Sequence, residues 1–473
     1  MAYQVYEDNA RLLRYQKNKE LFEAEHYKAF DIKKSELMQD PNNKIHYLVA
    51  NFTGMLSRLA ADSLFGFEEY PRISFTDEPK TKWLSDLEFA NSLSIQLYES
   101  ALENSYRGDA ILRIRSESGK LIVEDLNPAT WFPIYDQGNT RREPTAHILQ
   151  WKSSSDKFLD KDGKPQEIVI QEKHTKGKVE TVGMVVVGEE ITEIPTEKMV
   201  EMGYSSLVET KVTDWLIFHI PNSRTNDSLF GIDDYRDVKG LVEAVNNRLT
   251  RIDNVLDKHG DPILTVPAGV LDVDGKVSKS SFGLIEVPDG EGASKPEYIV
   301  WDAKLEATFM MIDHLMEVIY MVSETSPAAF GLDKNGVAES GRALKYKMLR
   351  TLAKKHRKQA YYDVAIKRML YVAQQFAKAN NLTVNGTKFT GEPEIPTIEW
   401  QDGIINDAVE IMDIEERKIN AGLASRVDVL QRMEGMTQEQ AEERVKAAKE
   451  EAAANAPTFN ANPMATLPPE PKA

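Results

Sequence analysis

Cysteine is absent from the 473 residues of the chain. This absence excludes disulfide bonds, thiolate metal sites and cysteine nucleophiles. The first residues, MAYQVYEDNARLLRYQKNKELF, lack the apolar core of a secretory signal. The most apolar helical stretch, residues 45–67, contains Arg58 and Asp62 and is too polar to span a bilayer. We therefore expect a soluble protein that is made inside the cell and has no membrane partner.

The signatures of common catalytic sites are also missing. The chain has no G-x-x-x-x-G-K-[ST], no H-E-x-x-H and no G-x-S-x-G, and no G-x-G-x-x-G follows a strand. Asp233 and Asp234 precede a predicted helix, where capping is a better interpretation than acid–base catalysis. The acids at 160–162 and the sequence DVDGK at 272–276 are incomplete calcium loops and predict turns. We expect no enzymatic activity, no metal and no cofactor.

Positive charge is scarce overall but concentrated in one segment. The chain has 58 Lys and Arg against 75 Asp and Glu, for a formal net charge of −17. Residues 342–358 nevertheless contain eight Lys or Arg and no acid, directly after the helix-breaking sequence TSPAAFGLDKNGVAESG. On a helical wheel, six cations of this region fall within an arc of about 100°. They are Lys347, Arg350, Lys354, Arg357, Lys358 and Arg368.

This basic helix has two interpretations. Its cations are either a solvated face, with partner acids from the same fold, or a strip for a polyanion. The polyanion is then duplex DNA or an acidic neighbouring subunit. Because the sequence contains no recognition helix, zinc finger or aromatic stacking module, contact with DNA is expected to be independent of base sequence and sensitive to salt.

The periodicity of apolar residues predicts an α+β protein that is mainly helical. A helical stripe begins at Ile45, and a second helical region ends at Gly108. Alternating strands follow to about Ile220, beginning with the hairpin DAILRIRSESGKLIVEDL. A long helix is predicted from about Arg342 to Asn380, then a strand in EPEIPTIEW. Two short helices joined through Gly422 come next, the second with an N-terminal capping box from Ser425 to Asp428.

Two helices around a small β insert predict an αα-hairpin. The first has apolar residues at spacings of four, four, three and four: Leu241, Val245, Leu249, Ile252 and Leu256. The second is apolar on nearly all sides, at Leu305, Phe309, Met310, Ile312, Leu315, Met316, Val318, Ile319, Met321 and Val322. A helix that is apolar on most faces needs more than one neighbour to cover it. Since a lone hairpin offers one neighbour, we expect further copies of the chain to supply the rest.

The order of these parts resembles that of the portal (head-to-tail connector) proteins of tailed bacteriophages, of the type found in long-tailed phages. The likeness spans roughly residues 10–450 and rests on several stretches in order rather than on one diagnostic motif. The stretches are RGDAILRIRSESGKLIVEDLNPATWFPIYD, DSLFGIDDYRDVKGLVEAVNNRLTRIDNVLDKHGDPIL, YIVWDAKLEATFMMIDHLMEVIYMVSETSPAAFG, SGRALKYKMLRTLAKKHRKQ and IEWQDGIINDAVEIMDIEERKINAGLAS.

The resemblance implies a division of the chain into the regions of the portal fold. Residues 1–232 are the wing, 233–258 and 303–324 the two stem helices, and 259–302 the clip between them. A tunnel loop at 325–341 projects toward the ring axis. The remaining regions are a long wing helix with a returning strand (342–403) and crown helices (404–450). The last segment, 451–473, is rich in Pro, Asn and Ala, and this composition predicts a disordered tail.

The same resemblance implies a function and its partners. About twelve copies form a ring at one capsid vertex of the virion, and double-stranded DNA is packaged and ejected through the channel. The ring, made in the host bacterial cytoplasm, contacts the terminase large subunit (the packaging motor), the major capsid and scaffold proteins, and a head–tail adaptor. The alternatives are another structural head component, such as a capsid or scaffold protein, or a non-catalytic subunit of a DNA-processing enzyme.

Candidate DNA contacts follow from the tunnel loop. Its residues Asp333, Lys334, Asn335 and Gly336 are the best candidates for touching DNA. Four acids of the second stem helix are candidates for facing the channel, although the same positions suit ordinary solvated carboxylates. They are Glu306, Asp313, Glu317 and Glu324.

Overall fold

A computed structural model describes most of the chain. The described residues are 5–32, 47–136, 138, 143–159, 165–187, 190–260, 263–267, 284–287, 297–299, 305–332, 341–401, 408–434 and 436–454. They form two compact units. The first comprises Met1–Ala338 and Ala343–Gly403, and the second Glu339–Arg342 and Ile404–Ala473.

The described chain combines helices with mainly antiparallel sheets, in agreement with the predicted α+β class. The helices are α1 (Asn9–Phe22), α2 (His26–Ala29), α3 (Phe52–Phe65), α4 (Glu78–Asn91), α5 (Leu93–Arg107), α6 (Thr196–Glu201), α7 (Lys239–Gly260), α8 (Leu305–Val322), α9 (Gly341–Lys347), α10 (Leu349–Asn380), α11 (Ala408–Asn420), α12 (Arg426–Glu434) and α13 (Gln438–Ala454).

The strands among the described residues lie in the first unit and form four sheets. They are β1 (Arg72–Ser74), β2 (Asp109–Glu117), β3 (Lys120–Leu126), β4 (Trp131–Ile134), β5 (Ala146–Leu159), β6 (Pro165–Thr175), β7 (Lys178–Val187), β8 (Glu190–Glu193), β9 (Leu207–Glu209), β10 (Ile217–Pro221), β11 (Ile263–Pro267), β12 (Leu284–Val287), β13 (Glu297–Ile299), β14 (Thr383–Val384), β15 (Thr387–Lys388) and β16 (Thr397–Glu399). The strand orders are β10-β2-β3-β14-β15, β4-β5-β6-β7-β8 with β9 beside β7, β12-β11-β13, and β1-β16.

The largest core lies in the segments predicted to form the wing, where α3, α4, α5 and α10 pack around the sheet that contains β2 and β3. Trp83, Leu97 and Met369 are completely or almost completely buried there. The β2–β3 hairpin is formed as the sequence predicts. Its turn residues Ser118 and Gly119 both have positive φ, 51° and 76°, which a tight two-residue hairpin turn requires.

Three helix boundaries differ from the periodicity in the sequence. The stripe that begins at Ile45 predicts an earlier helix, but α3 begins at Phe52 because the Asn51 side chain caps it by accepting a hydrogen bond from the Gly54 N–H. The second helical region is divided at Ser92, which has a φ of 49°. The long helix is interrupted at Met348, between α9 and α10, and ends at Asn380 as expected.

The two predicted stem helices, α7 and α8, pack against each other as an αα-hairpin. Their shared core consists of Val242, Val245, Ile252, Ile312, Leu315 and Ile319. Between them, β11 pairs in parallel with β12 and in antiparallel with β13, so the predicted β insert contains a three-stranded sheet.

The second unit contains α11, α12 and α13. Gly422, with a φ of 71°, lies between α11 and α12. The predicted capping box is formed: the Ser425 N–H donates to the Asp428 carboxylate at 2.7 Å, and the Asp428 N–H donates to Ser425 Oγ at 3.1 Å. The local pattern therefore located the start of α12 correctly.

Candidate functional site at the stem and the basic helix

The second stem helix exposes a broad apolar surface. Ile312, Leu315 and Ile319 are buried against α7. Met310 and Met321, on other sides of the helix, are 67% and 76% exposed, and Phe309 is 50% exposed. The rest of the described chain therefore leaves much of this helix uncovered, as the sequence predicted for a single copy.

Three of the four predicted channel-facing acids lie on one line of α8. Glu306, Asp313 and Glu317 are separated by seven and four residues, so they fall within an arc of about 40°, roughly opposite the buried face. All three are exposed. Glu324 is different, because it lies beyond the end of α8 with a positive φ of 54°.

The predicted cationic arc of the basic helix is divided between the interior and the surface of the molecule. Lys358 is only 6% exposed, and Lys354 is largely covered. Both ammonium groups contact the Asp234 carboxylate, Lys354 at 3.1 Å and Lys358 at 2.7 Å. Arg350, Arg357 and Arg368 point outward. The arc thus straddles the edge of the buried face of α10 and is not one solvated face.

Asp234 is the centre of this buried cluster. Its Oδ2 also accepts a hydrogen bond of 2.6 Å from Ser105 Oγ, and the Asn222 amide donates to Oδ1 at 3.2 Å. Burial alone would raise the pKa of the Asp234 carboxyl, but the charges of Lys354 and Lys358 and these hydrogen bonds outweigh it and hold the pKa well below its usual range. Asp234 is therefore ionised and paired.

This position corrects the capping interpretation of the two adjacent acids. The next helix begins at Lys239, five residues beyond Asp234. Asp233 accepts a hydrogen bond from the Tyr235 N–H at 3.1 Å and so organises the turn before the helix. Asp234 instead binds the two lysines of α10. Because Asp233 and Asp234 are adjacent in the sequence, both were predicted to cap the helix. In the structure, Asp233 accepts a hydrogen bond within the turn, whereas Asp234 contacts the two lysines of α10.

The start of the predicted tunnel loop is fixed to the same cluster. Lys354 Nζ donates to the Ser323 carbonyl at the end of α8, at 3.1 Å. Three residues further on, the Ser326 N–H donates to Thr351 Oγ1 at 2.8 Å. Because Lys354 also contacts Asp234, this one side chain joins the residues before α7 and after α8 to the basic helix. The predicted loop residues Asp333–Gly336 lie outside the described residues.

The outward arginines also have partners within the chain. Arg357 contacts Glu324, and Arg350 lies 3.9 Å from the same carboxylate. Arg368 contacts Asp214 at 3.0 Å. Lys347 lies at the end of α9 and is exposed. Of the two interpretations of the basic helix, pairing with acids of the same fold describes Lys354 and Lys358, which are covered and paired. The three arginines are also paired, but much of each side chain remains exposed to solvent.

Sequence reasoning missed Lys355, which lies on the apolar side of α10 outside the cationic arc. Its Nζ contacts Glu69 at 2.6 Å and the Gln401 carbonyl at 2.9 Å, and the residue is 3% exposed. A lysine on an otherwise apolar helix face predicts a buried partner, because an unpaired buried charge is costly. The sequence therefore indicated that Lys355 has a buried partner, but it did not identify Glu69 as that partner.

The described residues show neither a metal site nor a membrane span. Within these ranges, no three His, Asp or Glu side chains are placed to hold a metal ion together. None of the helices in them combines the length and the apolarity that a membrane crossing requires.

One protein-family model covers nearly the whole chain. No curated protein sequence gives a significant match to the chain. The model of one protein family, described as phage portal protein, SPP1 Gp6-like, matches residues 2–457. Since the match covers nearly the whole chain, the protein belongs to the SPP1 Gp6-like family of phage portal proteins.

Proposed function

We propose that about twelve copies of this chain form a ring at one vertex of the phage capsid and that double-stranded DNA enters and leaves the head through the central channel. Membership of the portal family supports a portal role and a place at the capsid vertex. It also favours this role over that of a capsid protein, a scaffold protein or a subunit of a DNA-processing enzyme.

The exposed apolar surface of α8 is the observation that carries ring formation. Phe309 and Met321, on the two sides of the line of acids, are 50% and 76% exposed, which leaves apolar surface for neighbouring copies to cover. Removal of apolar surface from water contributes about 25 cal/mol per Å² in favour of association, before the entropic cost of binding is subtracted. Copies arranged around an axis would cover these side chains in a head-to-tail manner, with each subunit presenting one face to each neighbour.

The line of acids on α8 suits a channel through which DNA slides. In the ring, Glu306, Asp313 and Glu317 of each copy would face the axis. Carboxylates repel the phosphate backbone, so the wall would keep DNA from adhering. Glu324 stands apart from this line, since its carboxylate is engaged by Arg357.

The remaining parts would divide the other tasks of the ring. The clip between α7 and α8 would contact the terminase large subunit and the head–tail adaptor, while the wing and crown would contact the capsid and scaffold proteins. The tunnel loop, with Asp333, Lys334, Asn335 and Gly336, would touch DNA. None of these contacts involves base recognition. The portal itself would have no enzymatic activity, since the motor supplies the ATP hydrolysis.

Electron microscopy and mass measurement of the purified protein test the ring. We expect a closed ring with a central hole and a mass of about twelve subunits. The double variant Phe309→Lys/Met321→Lys would place charges on the two sides of α8 that flank the line of acids, and would shift the protein to single subunits. Val187→Lys is the matched control, because Val187 is 63% exposed on the β7 strand and should tolerate the charge. A wild-type protein that remains a folded single subunit under all assembly conditions would contradict the proposal.

A loop deletion separates assembly from DNA handling. Removal of residues 333–338 should leave the ring intact but impair DNA packaging or retention. Normal packaging by this variant would exclude a role of the tunnel loop in contacting DNA.

A further inference from the structure

An apolar groove with two acidic groups opens on the surface of the first unit. Its volume is about 750 Å³, and residues in or next to α3, α4 and α5 line it. Two aromatic side chains at the groove lie in solvent, because Phe67 is fully exposed and Phe89 is 79% exposed. Exposed aromatic side chains that share one apolar groove favour a contact with a partner. The groove is therefore a candidate contact surface.

Two carboxylates of the groove lack a cationic partner. Asp62 accepts a hydrogen bond from the Tyr98 hydroxyl at 2.9 Å, and Glu88 accepts one from the Tyr70 hydroxyl at 3.2 Å. Neither forms an ion pair with another residue in the ranges that the structure describes. Burial raises the pKa of the half-buried Glu88 carboxyl. A ligand for this groove should therefore combine an apolar side chain with a positive charge.

The outward face of α10 has this combination. Leu349, Arg350, Arg357, Val364 and Arg368 fall within an arc of about 100°. Val364 is 66% exposed, and the side chains of Arg357 and Arg368 are each 54% exposed. We call these five residues the outer stripe. In a chain with a net charge of −17, such a stripe is an exception and offers attraction between copies that otherwise repel.

Rotational symmetry brings the two surfaces to the same level of a ring. The Phe65 ring, which lines the groove, lies 5.0 Å from the Tyr362 ring of α10 in the same chain. Rotation about the ring axis preserves height and radius, so the Tyr362 turn of the neighbouring copy lies level with the groove. Val364 and Arg368 belong to the outer stripe close to that turn.

We infer that the groove of each subunit receives the outer stripe of the neighbouring subunit around Val364 and Arg368. Val364 lies between Phe67 and Phe89, and Arg368 approaches Asp62 and Glu88. The inference rests on the proposed ring and names one of its subunit contacts. Duplex DNA is the other partner that the stripe suits, although exposed aliphatic side chains contribute nothing to phosphate binding.

Cross-linking between introduced cysteines tests this contact, because the chain has no cysteine of its own. The double variant Phe89→Cys/Val364→Cys, treated with a short bismaleimide, should give bands at multiples of the subunit mass. Ile95→Cys replaces Phe89→Cys if that variant does not assemble. The matched control Phe89→Cys/Val187→Cys should stay at the mass of one subunit. Rings without a ladder from either groove position would overturn the inference and leave the proposed function intact.

Charge reversal supplies a second measurement. Arg368→Glu and Asp62→Lys should each raise the protein concentration at half assembly by about tenfold or more, and the double variant should recover part of the loss. Asp214→Asn is the control, since it removes the same ion pair within the chain and keeps the arginine. If Arg368→Glu weakens DNA binding with assembly unchanged, the stripe binds DNA and the inference is wrong. If the wild-type protein forms no ring, both the proposed function and the proposed contact are wrong.

Discussion

The predicted wing and the predicted stem bury their apolar side chains in different ways. In the wing core, Trp83, Leu97 and Met369 are enclosed on all sides by elements of the same chain. In the stem hairpin, Ile312 and its neighbours are buried on one side of α8, whereas Met310 and Met321 remain exposed. The predicted wing core is thus enclosed within one copy, whereas the predicted stem has an apolar surface that the described residues of one copy do not cover. The buried cluster around Asp234 joins these two regions.

The largest expected effect is at this junction. Asp234→Asn leaves Lys354 and Lys358 without their counter-charge, and Lys358 is buried. Removal of one partner of a buried ion pair costs about 3–5 kcal/mol. We therefore expect a large decrease in the urea midpoint of the isolated subunit.

The acid limb of the same experiment checks the sign of the pKa shift. The folded pKa of Asp234 lies below its unfolded value of 3.8. Its contribution to stability is therefore present above pH 3.8 and is lost as the pH falls below that value. Asp234→Asn should flatten the decline of stability in this range. An unchanged slope would show that Asp234 does not carry the stabilising charge.

Truncation of apolar side chains tests the contrast between wing and stem directly. Leu97→Ala should destabilise the isolated subunit by about 2–5 kcal/mol, because it leaves a cavity in an enclosed core. Met321→Ala should change the same quantity by less than about 0.5 kcal/mol, since the side chain is already solvated. It should weaken the ring instead. If Leu97→Ala and Met321→Ala destabilised the isolated subunit equally, the predicted stem would not differ from the predicted wing in how completely one copy buries its apolar side chains.

The sequence predicted these regions unequally, for physical reasons. The hairpin at Ser118–Gly119, the capping box at Ser425 and the end of the long helix at Asn380 depend on neighbouring residues, so local patterns located them. The apolar excess of α8 was also visible in its composition. The exposure of that helix then follows from how few of the described elements contact it.

Contacts between distant segments were not predictable from one sequence. Asp234 and Lys358 are separated by more than a hundred residues, and no local pattern pairs them. The helical wheel assigned Lys354 and Lys358 to one face with Arg350, because an arc of about 100° includes both the surface and the edge of the core. Only the packing of α10 against the wing decides which of these cations is buried.

A pH-dependent effect is expected for His147, which lies in the predicted wing. Burial, with the nearby charges of His174 and His219, lowers the pKa of His147 to about 3. The folded protein thus keeps this ring neutral while the unfolded chain takes up a proton below pH 6.5. Stability should decrease by up to about 1.4 kcal/mol per pH unit between pH 6.5 and 3. His147→Asn should reduce this slope in urea titrations at several pH values, and an unchanged slope would show that the burial of His147 does not cause it.

The smallest effect is expected for the ion pair at the end of the stem. Glu324 and Arg357 are both substantially exposed, unlike Asp234 and Lys358 at the same helix junction. Exposed pairs contribute about 0–1 kcal/mol, so Glu324→Gln should lower the urea midpoint of the isolated subunit only slightly. The difference in destabilisation between Glu324→Gln and Asp234→Asn measures the effect of burial, because each variant removes the acid of an ion pair. If Glu324→Gln destabilises the assembled protein more than the isolated subunit, neighbouring copies shield the Glu324–Arg357 pair from water. The surface of the stem that neighbouring copies cover would then reach the basic helix.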